Sequence, residues 1–108
     1  RTKLAEVGCS AEVINGCCAL PFDLKTIKAS VNKTGRLAII HEAHQPCGLG
    51  AEVISGLIEK DLAIFKSSPI RITPPFAPSP FAPDLEKEYL PSSSQIFERV
   101  QSMLTNQA

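Results

Sequence analysis

Apolar residues along this chain fall into short groups separated by glycine, proline and polar breaks, and the spacing inside each group predicts its element. Leu4 and Val7 stand three apart with Gly8 behind them, the pattern of a helix end closed by glycine. Ala11-Glu-Val-Ile14 is a short β-branched run broken by Asn15-Gly16, and predicts a buried strand. Leu24, Ile27 and Val31 recur at helical spacing behind Asp23, a good N-cap, with Lys25 and Lys28 turned to water. Lys33-Thr-Gly35 gives that helix a cationic end and a glycine stop. Leu37-Ala-Ile-Ile40 is apolar without alternation, which predicts a strand buried on both faces of a parallel sheet.

The stretch His41 to Gly50 is polar and carries glycine, so it reads as a loop, and Ala51 to Lys60 then forms a helix with Val53, Ile54, Leu57 and Ile58 on one face. Ile70-Arg-Ile-Thr73, introduced by Pro69, predicts one more short strand. Pro74, Pro75, Pro78, Pro80 and Pro83 rule out a helix or central strand over 74–83, leaving extended backbone on the surface that Phe76 and Phe81 can pin. Glu86 to Pro91 reads as a short link, and Ser92 to Ser94 start a terminal helix carrying Ile96, Phe97, Val100 and Leu104, with Thr105 to Ala108 frayed. The succession predicts one α/β domain over 1–108: a three-layer open sheet, mostly parallel, with a proline-rich surface segment at 74–91 and a terminal helix at 92–104. Such a domain normally opens on a strand, so its first strand is expected to be missing.

Composition narrows the function. At 108 residues the chain suffices for one modest core, and 44% apolar with 20% charged residues is ordinary globular usage, against disorder. Eleven basic residues balance eleven acidic ones, so the basic excess of a nucleic-acid binder is absent. The apolar runs are too short for a membrane helix, and Arg1 to Glu6 lacks the apolar stretch of a signal peptide. Cys9, Cys17, Cys18 and Cys47 show neither a disulfide framework nor a Cys-x-x-Cys pair, and read as free thiols of a reducing compartment.

Several segments, in order, carry a family likeness. They are Ser10-Ala-Glu-Val-Ile14 with Pro21-Phe-Asp23, Ser30-Val-Asn-Lys-Thr-Gly-Arg-Leu37, His41-Glu-Ala43 with Gly48-Leu-Gly-Ala-Glu52, and Ser68-Pro-Ile-Arg71. Pro78-Ser-Pro-Phe81, Leu85-Glu86 and Tyr89-Leu-Pro91 continue it. Together they resemble the C-terminal domain of transketolase-like subunits, most closely the E1 β subunits of branched-chain 2-oxo acid, acetoin or pyruvate dehydrogenases. The chain departs from the pattern where Asn15-Gly-Cys-Cys18 replaces the usual Asp-Leu-Arg-Thr.

The resemblance implies a non-catalytic assembly and docking domain. Thiamine diphosphate and Mg would belong to the assembled enzyme, between the α subunit and the other domain of β, not to this domain alone. The implied partners are the E1 α subunit, a second E1 β subunit and the subunit-binding domain of E2, with self-association expected at an open sheet edge. The implied compartment is a mitochondrial matrix or a bacterial cytoplasm. A transketolase or deoxyxylulose-phosphate synthase domain, or an independent metal or redox module, are the alternatives.

Candidate chemistry gathers in the loop after the second apolar strand. His41, Glu42, His44 and Cys47 bring imidazole, carboxylate and thiol within seven residues, but their spacing fits no standard zinc pattern. Gly48 and Gly50 give half of a phosphate-binding glycine motif, which reads more readily as a structural loop. His41 is expected to be packed or interfacial, Glu42 to bond backbone or a partner, and Glu52 to sit at a helix start where the dipole favours a carboxylate. Arg71 either pairs with an acid across an interface or is solvated, while Phe76, Phe81 and Tyr89 divide between core and interface.

Overall fold

The computed structural model describes residues 2–105. Helix α1, Thr2–Glu6, closes as its glycine predicts: Gly8 takes φ 76°, its N–H donates to Ala5 O at 3.0 Å, and the Cys9 N–H reaches back to Leu4 O at 2.9 Å. Those two bonds satisfy carbonyls that the helix end would otherwise leave open.

The strand expected over Ala11–Ile14 does not form, and Val13 is 73% exposed. A β-branched run becomes a strand only where neighbours cover its side chains and pair its backbone, and the sheet of the described residues does not reach it. Side-chain chemistry holds the segment instead. The Glu12 carboxylate accepts from Ser30 Oγ at 2.6 Å and from the Lys33 ammonium, mooring the segment to the next helix. Lys33 first, then Ser30, hold that carboxyl below the usual glutamate range.

Helix α2, Leu24–Thr34, starts where Asp23 accepts from the Thr26 N–H at 3.0 Å and the Thr26 hydroxyl at 2.6 Å. It stops at Gly35, which takes φ 73° and donates its N–H to Val31 O. Only glycine fits there on two counts: the left-handed backbone, and the Lys66 methylenes, which a Cβ would meet at 2.5 Å.

Strands β1, Ala38–Ile40, and β2, Ile70–Ile72, form the sheet of the described residues. They run parallel, with Ala38 opposite Ile70, Ile39 opposite Arg71 and Ile40 opposite Ile72. The Lys66 N–H donates to Gly35 O at 2.8 Å and the Ile70 N–H to Leu37 O at 3.0 Å, so the approach to the sheet is already paired before the ladder begins. Parallel neighbours need a crossover, which helix α3, Leu49–Lys60, provides. It begins two residues earlier than the apolar spacing predicts, and a 3₁₀ turn at Leu62–Ile64, which that spacing does not show, follows it.

The core is thin. Ile27 and Val31 of α2, Val53 and Leu57 of α3, and Ile64 of the 3₁₀ turn form one cluster, with Leu37 and Ile39 packed onto it. Pleat alternation sends Ile70 and Ile72 to the opposite face, where α5 packs on β2 and Ile72 is buried. Helix, sheet and helix thus give the expected α/β layering. The expected burial of 37–40 on both faces fails, however: α5 packs on β2 and buries Ile72, while Ile40 beside it on the same face stays half exposed.

Two further corrections concern the C-terminal third. The link expected at 86–91, with the end of the proline-rich segment, is helix α4, Pro83–Tyr89. Pro83 stands in its first turn, where the missing N–H costs nothing, and Asp84 and Glu86 suit the dipole there. Helix α5, Ser93–Thr105, is launched by a reciprocal pair: the Gln95 N–H donates to Ser92 Oγ at 3.2 Å and the Ser92 N–H to Gln95 Oε1 at 2.9 Å. Thr105 belongs to α5, and the rest of the expected frayed end lies outside the described residues. Among the described residues, no helix is long and apolar enough to cross a membrane.

Candidate binding and interface site

The loop between β1 and α3 lies beyond the carboxyl ends of both strands, the edge where parallel sheets gather ligands and partners. His41 is the first residue past β1, and its ring packs on the start of α3. A Cβ on Gly48 would meet His41 Cε1 at 2.7 Å, and one on Gly50 would meet His41 Nε2 at 3.0 Å and Ile39 Cγ2 at 3.1 Å. On Gly48 a Cβ would meet the His44 carbonyl even sooner than the ring, so that glycine serves the loop's own backbone as well as the imidazole, and Gly50 serves the imidazole and Ile39. Burial pushes the His41 pKa below the usual histidine range, and the Arg71 charge adds to the effect. Its buried Nε2 has no hydrogen-bond partner among the described residues.

His44 turns the other way. Its Nε2 lies 2.9 Å from Ala77 O and 2.8 Å from the Tyr89 hydroxyl, and the hydroxyl donates to the same carbonyl at 3.1 Å. The carbonyl only accepts, so it draws its proton from Nε2 or from the Tyr89 hydroxyl, and the three atoms close a triangle either way. Phe76 meets the His44 ring edge-on with centroids 5.3 Å apart. The clasp holds the proline-rich strap and α4 against the loop. Sequence spacing missed it, since Tyr89 is 45 residues from His44 and no local pattern links them.

Glu42 is exposed and makes no hydrogen bond among the described residues, so the expected backbone bond is absent. Glu52 is exposed in the first turn of α3, as the dipole argument requires. Arg71 is neither ion-paired nor merely solvated within the chain: its Nη1 donates to Gln45 O at 2.5 Å and braces the loop from β2. Phe81 is fully exposed and Phe76 is 77% exposed, so neither caps the core; Tyr89 is half-buried in the clasp. Cys47 is an exposed free thiol at φ 56°, strained for a residue with a Cβ. With His41 and His44 facing apart, the imidazoles and thiol do not converge, and no metal-holding group of three or more His, Cys, Asp or Glu occurs among the described residues.

Between this loop and the end of β2 lies an open cleft of about 560 Å³. Gln45, Arg71 and Thr73 supply its polar lining, and Pro46, Pro75 and Phe76 its apolar walls.

Residues 2–96 match the family described as transketolase, C-terminal domain. The chain belongs to that family. Among curated relatives, it is 33% identical over 93 residues to the β subunit of acetoin:2,6-dichlorophenolindophenol oxidoreductase of Cupriavidus necator, covering 86% of this chain and 28% of that protein. It is 36% identical over 106 residues to the mitochondrial pyruvate dehydrogenase E1 component subunit β of Ascaris suum, covering 97% and 29%. It is 41% identical over 99 residues to the 2-oxoisovalerate dehydrogenase subunit β of Pseudomonas aeruginosa, covering 88% and 27%. The chain therefore spans less than a third of the length of these relatives. As a transketolase C-terminal domain it places its loop, strap and cleft on the strands' carboxyl edge, and the likeness covers all three.

Proposed function

We propose that this domain serves the β subunit of a thiamine-diphosphate-dependent 2-oxo acid dehydrogenase as an assembly and docking element. The observation that carries the reading, beside the family, is the strap. It is clasped to the loop through His44, Tyr89 and Ala77, yet it turns Phe76, Phe81 and Leu85 outward. Apolar side chains held firmly in water are the usual mark of a surface that another protein covers. The proposed partners are the E1 α subunit, a second β subunit and the subunit-binding domain of E2. The mitochondrial matrix or a bacterial cytoplasm is the matching compartment.

The turn at Gly48 and Gly50 does not fit a diphosphate, because its backbone space is taken by the His44 carbonyl and the His41 ring. The cofactor and its Mg are assigned to the rest of the enzyme, where the cofactor supplies the carbanion chemistry. No reaction step is attributed to this chain. Its part is to hold the strap and loop in place for a partner.

Calorimetric titration of the folded chain with the α subunit and with the E2 subunit-binding domain tests the proposal. Saturable binding to at least one, weakened by Phe81→Ser without loss of helicity, is expected. No heat with either partner, from a chain shown folded by circular dichroism, refutes the docking role.

A further inference from the structure

The cleft between the loop and β2 has a chemical character that the docking role leaves unused. Among the described residues, Arg71 is the only charged side chain lining it. One guanidinium N–H is committed to Gln45 O, no carboxylate bonds it among the described residues, and a guanidinium carries five donors. The opposite wall includes Ala51, in the first turn of α3. No side chain caps that turn, but the Glu52 carboxylate within it offsets the potential of its free N–H groups, so the positive charge of the cleft is that of Arg71. Thr73 already donates its hydroxyl proton to Pro74 O, which leaves Arg71 as the cleft's free charged donor.

Apolar rigidity completes the site. Pro46, Pro74, Pro75 and Phe76 form walls that lose little conformational freedom when something settles between them. The cleft's size lies within the range of small-molecule sites, roughly 300–1,000 Å³. An inorganic anion would leave those walls wet, and a neutral apolar molecule would leave the guanidinium unanswered. We propose that the cleft binds a small organic carboxylate with an apolar body, its carboxylate on Arg71 and the body against Pro75 and Phe76.

The proposal does not rest on the docking role: the cleft shares Phe76 with that surface but takes a different ligand class. Its test uses ¹⁵N-labelled chain titrated with isovalerate, with isovaleramide as the uncharged isostere. Saturable amide shifts centred on Gln45, Cys47, Ala51 and Thr73 are expected with the acid and not with the amide. Arg71→Gln should weaken the affinity at least about tenfold, the loss of one charge-assisted pair. Because that variant also releases Gln45, a second one, Ala51→Leu, fills the cleft while leaving Arg71 in place, and should abolish the shifts. Equal response to acid and amide, persistence of the shifts in Ala51→Leu, or no saturable shift at tens of millimolar overturns the proposal. A capped Pro-Glu dipeptide forms the last arm. If it binds at these residues while isovalerate does not, the small-molecule assignment fails and the carboxylate belongs to a protein partner.

Discussion

Leu57 tests the account of the core directly. Its side chain is fully buried, at 0% exposure, between α2, the sheet and the 3₁₀ turn. Truncation to alanine removes the transfer free energy of the lost methyl and methylene groups and leaves a cavity, a combined cost of about 3–4 kcal/mol. A domain of this size holds only about 5–15 kcal/mol in total, so one substitution would take about a fifth of it or more. The neighbouring Ile58 sits in the same helix but is 38% exposed, and its replacement improves helix propensity. Ile58→Ala should therefore cost about 1 kcal/mol or less. Urea unfolding followed at 222 nm, with the slope m unchanged between variants, gives both numbers on one scale. A Leu57→Ala loss below about 1.5 kcal/mol, or one no larger than that of Ile58→Ala, would show that the cluster is not the core.

Acidification tests His41. Its folded pKa lies below the unfolded value, so below about pH 6.5 the unfolded chain binds more protons, and stability falls as pH drops toward the folded pKa. His41→Asn lacks that loss, so the stability gap between wild type and variant should shrink from pH 7.5 to pH 5.5; a constant or widening gap contradicts the packing described. Tyr89→Phe removes the hydroxyl shared by His44 and Ala77, at a cost of about 1 kcal/mol concentrated in the strap. Hydrogen exchange should then speed up across α4 and leave α2 and α3 unchanged, whereas unaltered α4 protection would mean the clasp does not hold the strap.

Local chemistry was legible wherever one residue decides an outcome. Asp23, Gly8 and Gly35 end or begin helices as their types require, and the two strands that pair are β-branched runs at the expected places. Ala11–Ile14 has the same composition and fails, because strand formation depends on a neighbour the segment itself does not contain. Pro83 misleads for the opposite reason: proline breaks a helix interior but suits a helix start, and only the following Asp84 and Glu86 distinguish the two. At the site, the family motif located the right loop, but not the opposed orientations of His41 and His44. Those are set by α3 and α4, elements that meet the loop only in three dimensions.

The bond from Lys66 to Gly35 has a consequence for how this domain tolerates changes in length. From Lys66 to the next anchored residue, Ile70, the chain takes four steps, while its partner takes two from Gly35 to Leu37, so 67–69 bulges between two fixed points. A residue added within that bulge would be absorbed there, leaving Ile70 on Leu37 and the face of Arg71 unchanged. One added after Ile70 would turn Arg71 toward α5 and put an aliphatic chain in its place, because there the pleat alternates. Length should therefore vary at 67–69 and in the exposed loop from Asn15 to Leu20, and not within Ile70–Ile72.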